Sequence, residues 1–161
     1  RGHITNTASM AGLLTAPNMG IYNAAKAAVV SLTETLYHDL NLVTDQIGAS
    51  LLCPYFVPTG ITSSERNRQN APQAAQLTKS QLIGQAMSNK AVSSGKITAA
   101  EIAHRVFDAI SANQFYVFSH PKALGNVQSR MENIVSVTNP ADPFLARPEI
   151  GIALKAQLRA A

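Results

Sequence analysis

The segment from Tyr22 to about Val43 limits the fold most, because it contains neither Gly nor Pro and predicts one long helix. Its apolar residues recur at steps of three and four, and its alanines favour helix. Runs typical of strands lie on both sides. Residues 3–9 are rich in Thr, and residues 47–53 are apolar or small and end at Pro54. A strand, a helix and a strand in this order predict a parallel sheet.

The chain beyond Pro54 predicts one more strand and several helices. Thr98 followed by Glu101 has the spacing of a capping box, which begins a helix. The apolar stripe expected on that helix consists of Ile102, Ala103, Val106, Phe107 and Ile110. The predicted elements are, in order, a polar, partly helical and mobile insertion over 62–96, a helix from Thr98 to about Ala112, a strand over 114–119, a helix near 123–136 and a terminal helix after Glu149.

Composition narrows the classes of function. The 161 residues carry a formal net charge of +4 without a basic run, so we expect no nucleic-acid partner. Cys53 is the single cysteine and has no CxxC or Cys/His neighbours, which excludes an internal disulfide and a cysteine-based zinc site. The four dispersed histidines favour surface or interface positions over metal ligation. The apolar runs are too short to span a bilayer. A reducing, cytoplasmic location is the default expectation.

Tyr22, Lys26 and Ser9 are the candidate catalytic residues. Tyr22 and Lys26 stand four apart at the start of the long helix, so they lie on one helix face about one turn apart. A phenol has a pKa of about 10 and is a poor acid or base at neutral pH unless a nearby cation stabilises the phenolate. Ser9 ends the first predicted strand. Its hydroxyl can bind a substrate oxygen whose charge changes as a carbonyl and an alcohol interconvert.

Three motifs stand in a fixed order: NTASMAG at 6–12, YNAAKAA at 22–28 and LCPYFVPT at 52–59. In order and spacing they resemble the carboxy-terminal half of the short-chain dehydrogenase/reductase family. The likeness is close over about 2–60 and looser over 98–121. It implies an α/β fold with a Rossmann-like, doubly wound parallel sheet. Residues 1–161 would be the carboxy-terminal catalytic half of a single domain, with about three strands and flanking helices.

The resemblance also implies the reaction. Tyr22 would exchange a proton with the substrate oxygen, and Ser9 would orient that oxygen. Lys26 would stabilise the ionised phenol and hold the hydroxyls of the nicotinamide ribose. Hydride would pass between the cofactor and a small-molecule carbonyl or alcohol substrate.

A cofactor site is implied in the same way, for NAD or NADP. The segment 54–59 would border the nicotinamide, although Tyr55 stands where the family commonly has Gly. The implied cofactor-binding residues are Tyr22, Lys26, Pro54, Val57 and Thr59.

The resemblance places the substrate and the subunit contacts as well. Met10, Leu13 and Met19 would lie beside Ser9 and Tyr22 and line an apolar substrate pocket, with simple packing as the alternative. Residues 62–96 correspond to the family's variable substrate-binding region, a mobile lid. The helix 22–44 would pair with its copy in a homodimer or homotetramer.

Two elements of the family are not found in residues 1–161. These are the Gly-rich dinucleotide fingerprint and the segment with the family's catalytic asparagine. We therefore expect a nucleotide-binding half upstream of Arg1, and we expect the 161 residues alone not to hold NAD(P) tightly.

The sequence offers two alternatives to the oxidoreductase. A serine hydrolase built on Ser9 lacks the G-x-S-x-G elbow and leaves the spacing of Tyr22 and Lys26 unexplained. A truncated or non-catalytic homologue that acts as an interaction or scaffold protein stays open.

Overall fold

A three-stranded parallel sheet forms the centre of the computed structural model, which describes residues 1–67 and 77–159. The strands stand in the order of the sequence, with β2 in the middle. The predicted α/β class and parallel sheet are confirmed. The strands are β1 (Gly2–Thr7), β2 (Ile47–Cys53) and β3 (Tyr116–Phe118).

Helices and short 3-10 turns connect and flank these strands. In the described part of the chain, no helix is long and apolar enough to cross a membrane. The helices are α1 (Gly20–Val43), α2 (Lys79–Ser93), α3 (Ala99–Ser111), α4 (Leu124–Val135) and α5 (Pro148–Arg159). The 3-10 turns are Met10–Gly12, Gly60–Asn67 and Pro121–Ala123.

β2 is buried on both faces, as its apolar sequence predicts. Successive side chains of a strand point to opposite faces, so its residues enter two separate clusters. Leu51 and Cys53 pack with Val30 of α1, and side chains of α4 surround that cluster. Leu52 packs on the other face with Ile102 of α3. Helices therefore cover both faces, which is the layering of a doubly wound sheet.

The first and third strands are shorter than predicted. Residues 8 and 9 leave β1, although the Ala8 amide still donates to Leu52 O at 2.8 Å and the Met10 amide to Pro54 O at 2.9 Å. The chain follows β2 over this stretch and turns into the 3-10 turn, which places Ser9 outside the strand. After β3 the carbonyl of Ser119 accepts a hydrogen bond from Arg105 Nη1 at 2.7 Å, so Ser119 does not extend the sheet.

The capping box at the start of α3 is confirmed. The Glu101 amide donates to Thr98 Oγ1 at 3.2 Å, and the Thr98 amide donates to Glu101 Oε2 at 2.7 Å. The bond from the Thr98 amide, together with one from Thr98 Oγ1 to Glu101 Oε2 at 2.8 Å, holds the pKa of the Glu101 carboxyl below its usual value. The predicted stripe is right at Ile102 but wrong at Ala103, which is exposed, and at Phe107, which is 67% exposed. Phe107 follows the partly buried Val106, and one residue rotates a helix position by about 100°.

The insertion over 62–96 is partly helical, as predicted, because α2 lies within it. A second capping box begins this helix: the Gln81 amide donates to Thr78 Oγ1 at 3.3 Å, and the Thr78 amide donates to Gln81 Oε1 at 2.8 Å. This second capping box was not predicted. The predicted mobility concerns in part residues 68–76, which lie outside the described residues.

Candidate active site

Tyr22 and Lys26 lie in the first two turns of α1, close to the end of β1. Lys26 Nζ is 5.8 Å from the centre of the Tyr22 ring and donates a hydrogen bond to Thr7 O at 3.2 Å. Both side chains are half-buried. Since Thr7 is the last residue of β1, the ammonium is fixed between the strand end and the tyrosine. The predicted pair is therefore brought together.

Ser9 is held at the same edge of the sheet by two hydrogen bonds. Its hydroxyl accepts from the Ala11 amide at 3.1 Å, which caps the 3-10 turn, and donates to Pro54 O at 3.4 Å. A hydroxyl has one hydrogen to donate, and here it makes a bond at the long end of the usual range. The hydroxyl can therefore donate to a substrate oxygen at the cost of only one weak hydrogen bond.

Gly12 brings the 3-10 turn directly against α1. A Cβ on Gly12 would lie 2.6 Å from Lys26 O and 3.0 Å from Val30 Cγ2. Only a glycine permits this approach without displacing the helix backbone. The turn that carries Ser9 and the helix that carries Tyr22 and Lys26 consequently meet at Gly12.

The segment after β2 is fixed by Ser119, the residue that follows β3. The Tyr55 amide donates to Ser119 Oγ at 2.8 Å, and Ser119 is almost fully buried. The Val57 side chain is buried beside α3, whereas Thr59 is exposed and its hydroxyl accepts from the Ile61 amide at 3.4 Å. The carboxyl ends of parallel strands lie at one edge, so this segment, Ser9 and Lys26 share that edge.

The predicted substrate-lining residues occupy different environments. Met10 has no exposed surface and belongs to the core cluster with Leu51, so it packs in the core and has no surface to offer a substrate. Leu13 is partly buried against the same cluster. Met19 is half-buried and precedes α1, three residues before Tyr22.

Two other tyrosines are poorly suited to acid–base chemistry. The Tyr116 hydroxyl donates to Glu34 Oε1 at 2.8 Å, and burial together with this carboxylate raises the Tyr116 pKa to about 12. Burial also raises the pKa of Tyr55, whose ring packs at a tilt against Phe56 with centroids 3.9 Å apart. Both phenols stay protonated around neutral pH.

The histidines do not complete a serine hydrolase site. His3 Nε2 is bonded to Ser50 Oγ at 2.7 Å, and His120 Nδ1 to Ser119 Oγ at 2.8 Å. Ser9 is instead bonded to main-chain groups. No group of three His, Cys, Asp or Glu side chains suited to a metal ion is present in the ranges that the structure describes.

Cys53 is fully buried at the end of β2. Burial raises the pKa of its thiol to about 11. It therefore stays a neutral, apolar packing residue below that pH, as the sequence predicts for it.

A cavity of about 640 Å³ lies at the opposite end of the sheet, where Gly2 begins β1 and Ile47 begins β2. In open α/β sheets the binding site lies beyond the carboxyl ends of the strands. We therefore place the candidate site at Tyr22 and not in this cavity.

Several contacts at the site had no signal in the sequence. Ser119 and Arg105 support the segment after β2 from distant positions. Asn23 Nδ2 donates to Ala16 O at 2.9 Å, and Arg130 Nη1 donates to Leu13 O at 3.1 Å. Asn23 belongs to the tyrosine motif, but nothing in the motif indicates its partner.

Comparison with known proteins identifies the family. The family model described as short chain dehydrogenase matches residues 1–70. The "CLA biosynthesis dehydrogenase/reductase" of Lactiplantibacillus plantarum is 32% identical over 137 residues, which are 83% of this chain and 48% of that protein. Retinol dehydrogenase 10 of Homo sapiens is 39% identical over 69 residues, 42% of this chain and 20% of that protein. The chain thus spans about half, or less, of the curated relatives it matches.

Solved structures agree with this assignment. A short-chain dehydrogenase/reductase from Burkholderia phymatum in complex with NAD has a TM-score of 0.85 and 54% identity, covering 88% of this chain and 50% of that chain. A putative short-chain dehydrogenase from Novosphingobium aromaticivorans has a TM-score of 0.53 and 26% identity, covering 98% of this chain and 46% of that chain. The chain belongs to the short-chain dehydrogenase/reductase family.

Proposed function

We propose that this chain is the catalytic half of an NAD(P)-dependent oxidoreductase that interconverts a carbonyl and an alcohol by hydride transfer. The arrangement of Tyr22 and Lys26 carries the proposal: the ammonium is 5.8 Å from the ring centre and is fixed to Thr7 O at the carboxyl end of β1. Ser9 stands at the same edge. The identity to an NAD-bound relative supports the same chemistry.

The three residues act at the reacting oxygen in different ways. When an alcohol is oxidised, the Tyr22 oxygen takes its hydroxyl proton, and when a carbonyl is reduced, Tyr22 gives that proton. The Lys26 ammonium stabilises the negative charge that develops on the Tyr22 oxygen. The Ser9 hydroxyl turns from Pro54 O to the substrate oxygen and orients it.

The residues at this edge fit a nicotinamide cofactor. An ammonium has three N–H donors, and Lys26 spends one on Thr7 O, so two remain for ribose hydroxyls. Because the Val57 side chain is buried, the main chain of residues 54–59 is the part available to contact the nicotinamide carboxamide. Bound NAD or NADP supplies the hydride acceptor or donor. The residues that would hold it are Tyr22, Lys26, Pro54, Val57 and Thr59.

The substrate in this proposal is a mainly apolar alcohol or carbonyl compound of medium size. Leu13 and Met19 flank the site, and retinol, named in one group of relatives, is an apolar alcohol. We place the lid in 62–96, on α2. At Gly84 this helix passes close to Asn18, because a Cβ there would lie 3.7 Å from Asn18 Cβ.

We also propose a second half of the domain, subunit contacts and a cellular location. A nucleotide-binding half would complete the Rossmann-type domain, so residues 1–161 alone would not hold NAD(P) tightly. Exposed apolar side chains on α1, including Ile21 at 91% and Leu42 at 84%, support a homodimer or homotetramer through this helix. We expect a cytoplasmic enzyme. The built geometry at Ser9, Tyr22 and Lys26 favours it over the non-catalytic scaffold alternative.

Hydride transfer can be tested with a labelled substrate. The intact protein is incubated with NAD⁺ or NADP⁺ and with cyclohexanol or menthol that carries deuterium on the carbinol carbon. We expect deuterium in the reduced nicotinamide, measured by mass spectrometry. Reduced nicotinamide without deuterium, or no reduction with any pair, contradicts the proposal.

A further inference from the structure

The loop from Leu13 to Met19 joins Ser9 and its 3-10 turn to Tyr22 and α1. It supplies Leu13 and Met19, the two substrate-lining residues that keep a surface to offer. Its start is tied to the turn, because the amides of Leu13 and Leu14 both donate to Met10 O, at 3.0 and 2.9 Å. The position of this loop therefore decides which substrates fit beside Tyr22.

Arg130 reaches this loop from α4. Its Nη1 donates to Leu13 O at 3.1 Å across 117 positions of sequence. Leu124 and Val127 precede it at steps of three and pack on the core cluster, so Arg130 lies on the packed face of the helix. A guanidinium is planar, stays charged and offers several donors, which suits it to hold a carbonyl in place.

Asn23 holds the same loop at Ala16, three residues after Leu13. Its Nδ2 donates to Ala16 O at 2.9 Å, while its Oδ1 is buried without a hydrogen-bond partner among the described groups. The Met19 position at the start of α1 has no side-chain cap bond. The amide of Asn23 therefore connects the first turn of α1, next to Tyr22, to the middle of the loop.

We infer that Arg130 and Asn23 are positioning residues that fix the loop 13–19 and thereby set the substrate selectivity of the site. The inference rests on the proposed function. Neither residue transfers a proton. Each holds one carbonyl of the loop, Arg130 that of Leu13 and Asn23 that of Ala16, so that Leu13 and Met19 keep their place.

The first experiment replaces the guanidinium and keeps the packed stem, with Arg130→Met in the intact protein. Losing a hydrogen bond from a charged donor corresponds to about tenfold or more in an equilibrium. We expect the KM for menthol to rise about tenfold, the KM for cyclohexanol to rise less, and the KM for NAD⁺ and the pH profile of kcat to stay unchanged. Arg130→Lys, which restores a cationic donor, should recover part of the loss. Arg147→Met, at an exposed arginine, is the matched control.

A general loss of structure would give a different result. It would raise the KM for NAD⁺ and for both alcohols together, and this outcome would overturn the inference. So would an unchanged KM for menthol.

Hydrogen exchange tests the loop independently of turnover. We expect the Leu13 and Leu14 amides to exchange about tenfold faster in Arg130→Met, while the Leu51 amide, bonded to Phe115 O at 2.7 Å, keeps its rate. Unchanged exchange at Leu13 and Leu14 overturns the inference even if the protein proves to have another activity. Faster exchange in a protein that does not oxidise alcohols would support the anchoring and reject the proposed function.

A double-mutant cycle tests whether the two side chains act on one loop. Asn23→Ala and Arg130→Met should each raise the KM for menthol, and their combination should raise it by less than the product of the two factors. Independent effects that multiply would show two separate sites of action and contradict a shared loop.

Discussion

Gly12 and the carbonyl of Lys26 are in such close contact that a Cβ on Gly12 would lie 2.6 Å from the Lys26 oxygen. The 3-10 turn that follows Ser9 thus packs directly against the turn of α1 that carries Lys26. Replacement by Ala must displace backbone, since the atom it meets belongs to a helix. We expect Gly12→Ala to lower the free energy of unfolding by about 1–3 kcal/mol and to reduce kcat as Lys26 shifts.

Urea unfolding and turnover of the variant check this prediction. Gly125→Ala is the matched control, because a Cβ at Gly125 of α4 meets no atom within 4 Å. An alanine inside a helix favours it by about 0.5–1 kcal/mol over glycine, so the control should be neutral or stabilising. A Gly12→Ala variant as stable and active as the control would contradict the packing described at this contact.

Ser119 is predicted to support the main chain of the segment 54–59, part of the proposed cofactor site. Its hydroxyl accepts from the Tyr55 amide, and Ser119→Ala leaves that amide without its partner. We expect a loss of stability of about 1–3 kcal/mol and a severalfold rise in the KM for NAD⁺, measured by unfolding and by initial rates.

Ser50→Ala provides the comparison for this effect. Ser50 is equally buried and donates to Gln114 O at 2.7 Å, but it lies on β2 beside His3, towards the amino end of the sheet. It should lose similar stability and leave the KM for NAD⁺ unchanged. Equal KM values in the two variants would show that Ser119 has no special part in holding the segment 54–59.

Cys53 makes stability depend on pH in the alkaline range. Burial raises the pKa of its thiol from 9.0 to about 11, so the folded chain keeps a proton that the unfolded chain loses. The stabilisation is complete below pH 9.0 and is lost as the pH rises through about 11. The free energy of unfolding of the native protein should therefore fall more steeply over this range than that of Cys53→Ala.

The comparison with Cys53→Ala is needed because the raised pKa values of Tyr55 and Tyr116 act in the same direction. Alkylation provides a second check. Iodoacetamide should modify Cys53 of the folded chain far more slowly than Cys53 of the urea-unfolded chain. Parallel pH profiles for the two proteins would mean that the thiol is not protected by burial.

Local patterns predicted most of the fold. The run from Tyr22 to about Val43, without Gly or Pro, correctly predicted α1, although the helix begins at Gly20, two residues before the predicted start. The apolar run ending at Pro54 gave a strand buried on both faces. The error at Ser9 has a tertiary cause. The amides of its neighbours Ala8 and Met10 still donate to Leu52 O and Pro54 O. No pattern within residues 3–9 shows that β1 ends before Ser9.

Ser9, Tyr22 and Lys26 were predicted as site residues, but contacts at the site were predictable only between neighbours in sequence. Tyr22 and Lys26 are one helix turn apart, so their contact follows from helix geometry. The bond from Ser9 to Pro54 spans 45 positions, and that from Arg130 to Leu13 spans 117. Contacts of this kind depend on how helices pack on the sheet, and the sequence carries no periodic signal for them.

The role of Tyr22 as proton donor and acceptor is the central claim, and kcat of Tyr22→Phe tests it most directly. Loss of a general acid–base group costs about 10²–10⁴-fold in rate. Tyr37→Phe is the matched control on the same helix, where the ring packs edge-on against Phe115 with centroids 4.9 Å apart. We predict that Tyr22→Phe loses about 10²–10⁴-fold in kcat with only a small rise in the Kd for NAD⁺, while Tyr37→Phe stays near the native rate. A Tyr22→Phe protein that turns over menthol at the native kcat would contradict the account.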